Sequence, residues 1–172
     1  MKIFVIGMNK TATYSIYRFF EDNNISSIHW DWGKLAVSME ESFKKGEKLI
    51  NTEYDKYTVF TDMEDTTHEK KDKYIYAGIK FFKILDRQYP NSKFILNIRN
   101  VEDWIESRNK HLFGRKGCYL EYWMEKLNMS KEQVNDKWRN DFKNHYENVV
   151  SYFKNEPNKL IIFNIDNDPI SK

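Results

Sequence analysis

The chain has one cysteine, Cys118, so it can form no internal disulfide and no Cys-based zinc cluster. Among 172 residues there are only 6 glycines and 3 prolines, which argues against flexible linkers and low-complexity tails. An excess of one charge is missing too: 28 Lys and Arg stand against 26 Asp and Glu, a net charge of +2. Such a balance does not describe a protein that coats nucleic acid, although it permits a local basic pocket. No apolar run approaches the roughly 18 residues that span a bilayer. The first run, Ile3–Ile6, is also shorter than the roughly 7–15 residues of a signal-peptide core. These absences lead us to expect a soluble, cytoplasmic protein that engages neither membrane nor nucleic acid. What the chain does have is aromatic side chains: 12 Phe, 11 Tyr and 5 Trp, far too many for a disordered segment. Its length suits a single domain over 1–172 with a core of its own.

The patterning predicts strands alternating with helices. Ile3–Ile6 ends at Gly7 as a buried parallel strand would. Ile16, Phe19 and Phe20 recur at helical spacing, and a short strand is predicted over Ile25–Trp30. Leu35, Met39 and Phe43 form one helical stripe; Ile75, Ile79, Phe82 and Leu85 form another, closed by Pro90. Between them, Tyr57–Thr61 reads as a strand leading into the acidic turn Asp62-Met63-Glu64-Asp65. Lys93–Ile98 is the clearest later strand, and Asn100 is placed to cap the helix after it. Ser130-Lys131-Glu132-Gln133 is a capping box opening a long helix with the stripe Val134, Trp138, Phe142, Val149, Phe153. Lys159–Ile165 is the last strand. The alternation predicts a three-layer α/β/α domain with a mainly parallel central sheet.

Two loops carry chemistry. The first is Gly7-Met8-Asn9-Lys10-Thr11-Ala12-Thr13-Tyr14-Ser15, between the first strand and the first helix. A turn of this kind presents free backbone N–H groups and the positive end of a helix dipole. Lys10 adds charge, and Thr11, Thr13 and Ser15 add hydroxyls. Lys10 follows Gly7 by only three residues with no glycine before it, so this is not the G-x-x-x-x-G-K-[ST] loop of nucleotide triphosphatases. On its own the segment reads equally as a phosphate cradle or as a plain β–α turn. The second loop is Ile98-Arg99-Asn100-Val101-Glu102-Asp103-Trp104-Ile105-Glu106-Ser107, with Arg99 at a strand end, where α/β folds gather ligands. Taken singly, Arg99 fits a surface ion pair and Ser107 a neutral helix position.

Together the two motifs, Lys-Thr-Ala-Thr-x-Ser and Arg-Asn-x-x-x-Trp-x-x-Ser, resemble those of the sulfotransferases. The likeness extends to Tyr89-Pro90-Asn91-Ser92-Lys93-Phe94-Ile95-Leu96 before Arg99, and to the closing unit from His145-Tyr146 to Ile165. The resemblance implies a P-loop-like sulfotransferase architecture and 3′-phosphoadenosine-5′-phosphosulfate (PAPS) as donor, 3′-phosphoadenosine-5′-phosphate (PAP) as product, and no metal. It assigns the loop from Asn9 through Lys10, Thr11, Ala12, Thr13, Tyr14 and Ser15 to the 5′-phosphosulfate, with Lys10 stabilising the leaving oxygen. It assigns Arg99 and Ser107 to the 3′-phosphate. Three departures stand out: Ala12 replaces the usual glycine, Tyr14 and Ser15 stand where some members have Thr and an adenine-stacking Trp, and Arg115-Lys116-Gly117 matches a family motif that belongs nearer the C-terminus. Members usually run longer, so the resemblance implies a minimal member or one without its C-terminal covering element.

Sulfuryl transfer needs in-line positioning, neutralised charge and a base for the acceptor's proton. Members place that base at a strand end beside the first loop. Asp62 and Asp31 are the leading candidates here, followed by His29. Trp30, Trp32 and Tyr54 either line an acceptor pocket or pack in the core. His68 falls in a charged loop, and His111 and His145 fall on helices. The acceptor is expected to be a small molecule or carbohydrate bearing a hydroxyl or amine; the oligomeric state stays open. Two other functions stay open: a small kinase-like phosphotransferase, against which the Lys10 spacing stands, and a non-catalytic nucleotide-binding module.

Overall fold

The computed structural model describes residues 1–66, 74–112 and 119–168. His68, the Arg115-Lys116-Gly117 triplet, Cys118 and the segment from Pro169 onward lie outside the described residues. In chain order the elements are β1 (Ile3–Val5), α1 (Thr13–Asp22), β2 (Ser27–His29), α2 (Lys34–Lys45), β3 (Val59–Thr61), β4 (Glu64–Asp65), β5 (Ile75–Tyr76), α3 (Ala77–Gln88), β6 (Lys93–Ile98), α4 (Val101–Asn109), α5 (Tyr119–Leu127), α6 (Lys131–Phe153) and β7 (Leu160–Asn164). By compactness the chain divides into two units, Met1–Ile98 with Tyr152–Lys172, and Arg99–Ser151.

The first unit holds a five-stranded parallel sheet in the order β2-β3-β1-β6-β7. Strand alternation sorts its apolar residues to two faces. Register sets Phe4 beside Phe60 and Phe94, so three phenylalanines form a row across β3, β1 and β6, with ring centroids 5.3 and 5.5 Å apart. Phe153, the last residue of α6, packs tilted against Phe94 at 4.8 Å and against Phe82 of α3, covering this face. On the opposite face Val5, Val59, Ile3, Ile95 and Phe163 meet Ile16 and Phe20 of α1. Helices thus cover both faces: a three-layer α/β/α arrangement with a mainly parallel sheet, as the patterning predicts. Each phenylalanine taken fully out of water contributes about 1.5–3 kcal/mol.

The second unit contains α4, α5 and most of α6. Asn100 caps α4, its side chain accepting from the amides of Glu102 and Asp103. The capping box also forms: Ser130 N–H donates to Gln133 Oε1 at 2.8 Å, and Gln133 N–H to Ser130 Oγ at 3.3 Å. Trp104, Tyr119 and Trp138 enclose the buried guanidinium of Arg108, 4.2–4.9 Å from their rings. His145 is buried, as a packing residue is, and His111 lies just beyond α4 rather than on a helix.

Two other predictions shift. Ile75 does not begin the α3 stripe; it pairs with Asp65 in an antiparallel β4–β5 ribbon, and the helix starts at Ala77. Strands of two residues carry no periodicity, so this ribbon has no signature in the sequence. The helix α5 is not among the predicted elements, although Tyr119, Trp123 and Leu127 stand four apart as Leu35, Met39 and Phe43 do.

Candidate active site

Backbone strain marks the carboxyl edge of the sheet. Among the described residues eight non-glycine residues have positive φ; asparagine and aspartate tolerate it best, and two of the eight, Asn24 and Asn128, follow helices. The other six follow three adjacent strands: Lys10 and Ala12 after β1, Trp30, Asp31 and Trp32 after β2, and Asp62 after β3. Strain of this kind persists only where surrounding structure over-determines it, and it gathers at functional sites. The carboxyl edge is also where open α/β sheets bind ligands.

The first loop is held from behind by Asn97 of β6. Gly7 N–H donates to Asn97 Oδ1 at 2.9 Å, while Asn97 Nδ2 donates to the carbonyl of Thr11 at 2.8 Å and to its Oγ1 at 2.6 Å. The Thr11 hydroxyl in turn donates to the Met8 carbonyl, so it braces the loop rather than pointing out of it. A Cβ at position 7 would lie 2.2 Å from Asn97 O and Oδ1, which is why only glycine fits there. Asn9 is buried and donates to Glu64 Oε1 at 2.9 Å. Ala12, at φ 64 and ψ 28, takes the left-handed conformation that the usual glycine would adopt freely. The first intrahelical bond runs from Ile16 N–H to the Ala12 carbonyl, so the amides of Thr13, Tyr14 and Ser15 precede it and face the N-terminal end.

At that end sits a carboxylate. Asp62 leaves β3 with φ 53, and burial pushes its carboxyl up to about 6, against the nearby Lys10 charge and a hydrogen bond from Thr13, both of which favour ionisation. Its Oδ1 is buried without a hydrogen-bond partner among the described residues. Asp62 Oδ2 lies 3.6 Å from Nε2 of His29, too long for a hydrogen bond but close enough for one polar atom to touch both. His29 itself is held by Thr61, whose Oγ1 is 2.8 Å from Nδ1, and by the Tyr17 ring stacked on it at 5.6 Å. Burial pushes the imidazole down to about 4, so it is neutral near pH 7.

The structure therefore brings Lys10, Thr13, Asp62 and His29 together. Asp31 is committed elsewhere: its Oδ2 accepts the Tyr54 hydroxyl at 2.7 Å. Both His29 and Asp31 line a cleft of about 580 Å³ that also receives Trp30, Trp32 and Tyr54. Tyr14 and Ser15 are exposed on the first turn of α1. In the second unit Arg99 and Ser107 are half-buried, Arg99 next to the Asn100 cap and Ser107 within α4. Among the described residues no group of three or more His, Cys, Asp or Glu is arranged to hold a metal, and no helix is long and apolar enough to cross a membrane.

Sequence reasoning missed three parts of this site: Asn97, Thr61 and Tyr17. Asn97 had a signal, a lone amide inside the apolar run Phe94–Ile98, where a buried polar group demands a partner. Tyr17 and Thr61 had none, since their role depends on where His29 falls.

With this geometry in hand, the chain belongs to the sulfotransferase domain family, whose family model matches residues 2–168. No curated protein matches it. Family membership establishes a transferase that moves sulfuryl groups.

Proposed function

We propose that the chain moves a sulfuryl group from PAPS to a hydroxyl or amine of a small-molecule or carbohydrate acceptor, by in-line transfer. The observation that carries this reading is Asp62, a buried carboxylate held beside Lys10 and Thr13 at the helix end of the first loop. PAPS, when bound, supplies the sulfuryl group and leaves as PAP. Lys10 holds a positive charge where the leaving oxygen gathers negative charge, and the amides of Thr13, Tyr14 and Ser15 add the dipole end of α1. These donors fit a phosphosulfate without further groups. Asp62 takes the acceptor's proton: pushed up only to about 6, its carboxyl is still mostly ionised near pH 7, and the rise makes it a stronger base than an ordinary carboxylate. His29 positions the acceptor from the cleft side. Arg99 and Ser107 hold the 3′-phosphate, an assignment that rests on the family motif alone.

The test is release of PAP from PAPS in the presence of a mixed acceptor library. Release is expected to need both Lys10 and Asp62, and to fall roughly 10²–10⁴-fold in Asp62→Asn. Unchanged release in Lys10→Ala contradicts the reading.

A further inference from the structure

We infer that the cleft beside His29 binds a carbohydrate ring, with Trp32 as the platform on which the ring lies; this rests on the sulfotransferase reading above. The starting observation is the turn after β2. Trp30, Asp31 and Trp32 stand in succession at φ 57, 49 and 55, followed by Gly33 at φ 81. Three consecutive L residues in this region do not arise from local preference. The turn is forced from several sides. Trp30 N–H donates to the Thr61 carbonyl at 3.1 Å, and Gly33 N–H to the Trp30 carbonyl at 3.1 Å. Tyr54 holds Asp31, and Gly33 backs onto Asp65, whose Oδ1 would lie 2.5 Å from any Cβ there.

All this restraint leaves Trp32 75% exposed, its ring 5.3 Å from that of Trp30. The core gains nothing from an indole so placed. Strain without a packing return, at the edge of a cleft lined by His29, whose Nε2 is 3.6 Å from Asp62 Oδ2, points to a ligand. The cleft's volume, about 580 Å³, falls within the roughly 300–1,000 Å³ of small-ligand sites.

The wall chooses the ligand. Tyr17, Trp30, Trp32, Tyr54 and Tyr57 supply aromatic surface. Asp31, Lys34, Glu53 and Lys56 lie among them. A flat hydrocarbon ring would face these charged groups without answering them. A sugar ring lays its C–H face on an indole and turns hydroxyls, each both donor and acceptor, toward carboxylates and ammonium groups. In the reaction one ring hydroxyl oxygen forms the new bond to sulfur. The bond from sulfur to the phosphate oxygen breaks with its electron pair leaving on PAP, and the hydroxyl proton passes to Asp62.

The experiment titrates the protein, with and without saturating PAP, with methyl glucopyranoside, methyl galactopyranoside, the methyl glycoside of glucosamine and, as an opposing probe, 4-methylphenol. Tryptophan fluorescence and the indole NMR signals report binding. At least one glycoside is expected to bind, roughly tenfold more weakly in Trp32→Ala and several-fold more weakly in Glu53→Gln, with PAP affinity unchanged in both variants. Three results overturn the inference: no glycoside binds, glycoside binding is indifferent to Trp32→Ala, or 4-methylphenol binds more tightly than every glycoside and ignores Glu53→Gln. PAP affinity on the same samples separates the two levels. Loss of PAP binding in the unaltered protein contradicts the donor reading, whereas PAP binding with no glycoside binding contradicts only the carbohydrate.

Discussion

Asn97 accepts the amide proton of Gly7 at 2.9 Å from a position 90 residues further along the chain. With its other end on Thr11 it fixes the loop that presents Lys10. Replacing it with Asp keeps the acceptor for Gly7 but removes both donors to Thr11 and adds a negative charge behind the anion cradle. We expect Asn97→Asp to destabilise the fold by about 1–3 kcal/mol in urea denaturation. PAP affinity is expected to fall by more than that of Asn97→Ala, which lacks the added charge. Equal affinity in the two variants would show that Asn97 is only a packing residue.

Ala12 carries a left-handed backbone with a Cβ. Glycine relieves that strain, and the relief is partly offset by the greater freedom glycine has in the unfolded chain. Ala12→Gly is therefore expected to raise stability by up to about 1 kcal/mol, whereas Ala12→Val, with a branched Cβ at positive φ, lowers it by more than about 1 kcal/mol. Thermal melting of the two variants checks the pair of signs.

The Asp62 carboxyl titrates near 6 in the folded protein and near its ordinary value of 3.8 when unfolded. The folded state thus binds this proton more tightly. The stabilising contribution is complete below about pH 4 and is lost as pH rises through about 6. Asp62→Asn, which cannot ionise, should therefore be more stable than the unaltered protein at pH 8, by an amount on the order of 2–3 kcal/mol. The gap should close between about pH 6 and pH 4. His29 acts in the opposite sense: its folded value near 4 lies below the ordinary 6.5, so its contribution is full above pH 6.5 and is lost as pH falls toward 4. His29 is present in both proteins, so their difference reports chiefly on Asp62. A gap that widens toward low pH contradicts the assignment.

Activity should divide the two aspartates. Asp31 is tied to Tyr54, so Asp31→Asn is expected to leave kcat within a few-fold, with any effect on acceptor KM. Asp62→Asn should lower kcat roughly 10²–10⁴-fold and abolish the rise of rate with pH through about 6. A larger loss in Asp31→Asn would reverse the roles.

The strands that the sequence announces most clearly, Ile3–Ile6 and Lys93–Ile98, carry the apolar runs Ile3–Ile6 and Phe94–Leu96, which leave little choice of structure. Both helix caps at Asn100 and Ser130 were also legible, because capping is a local act between neighbours in sequence. The phosphate-type loop was legible as chemistry but not as geometry. Whether Asp31 or Asp62 faces Lys10 depends on the turns after β2 and β3, where backbone strain, not side-chain pattern, sets the direction. The run of positive φ from Trp30 to Trp32 has little sequence signature, since only Asp31 of the three is of a type enriched in that conformation.

Calorimetric titration with PAP, beside a parallel titration with ATP and Mg²⁺, tests the central claim most directly. Submillimolar PAP binding is expected, weakening at least about tenfold in Lys10→Ala and again in Arg99→Ala, with ATP and Mg²⁺ binding more weakly. Tight binding of ATP with Mg²⁺ and no response to PAP would contradict it.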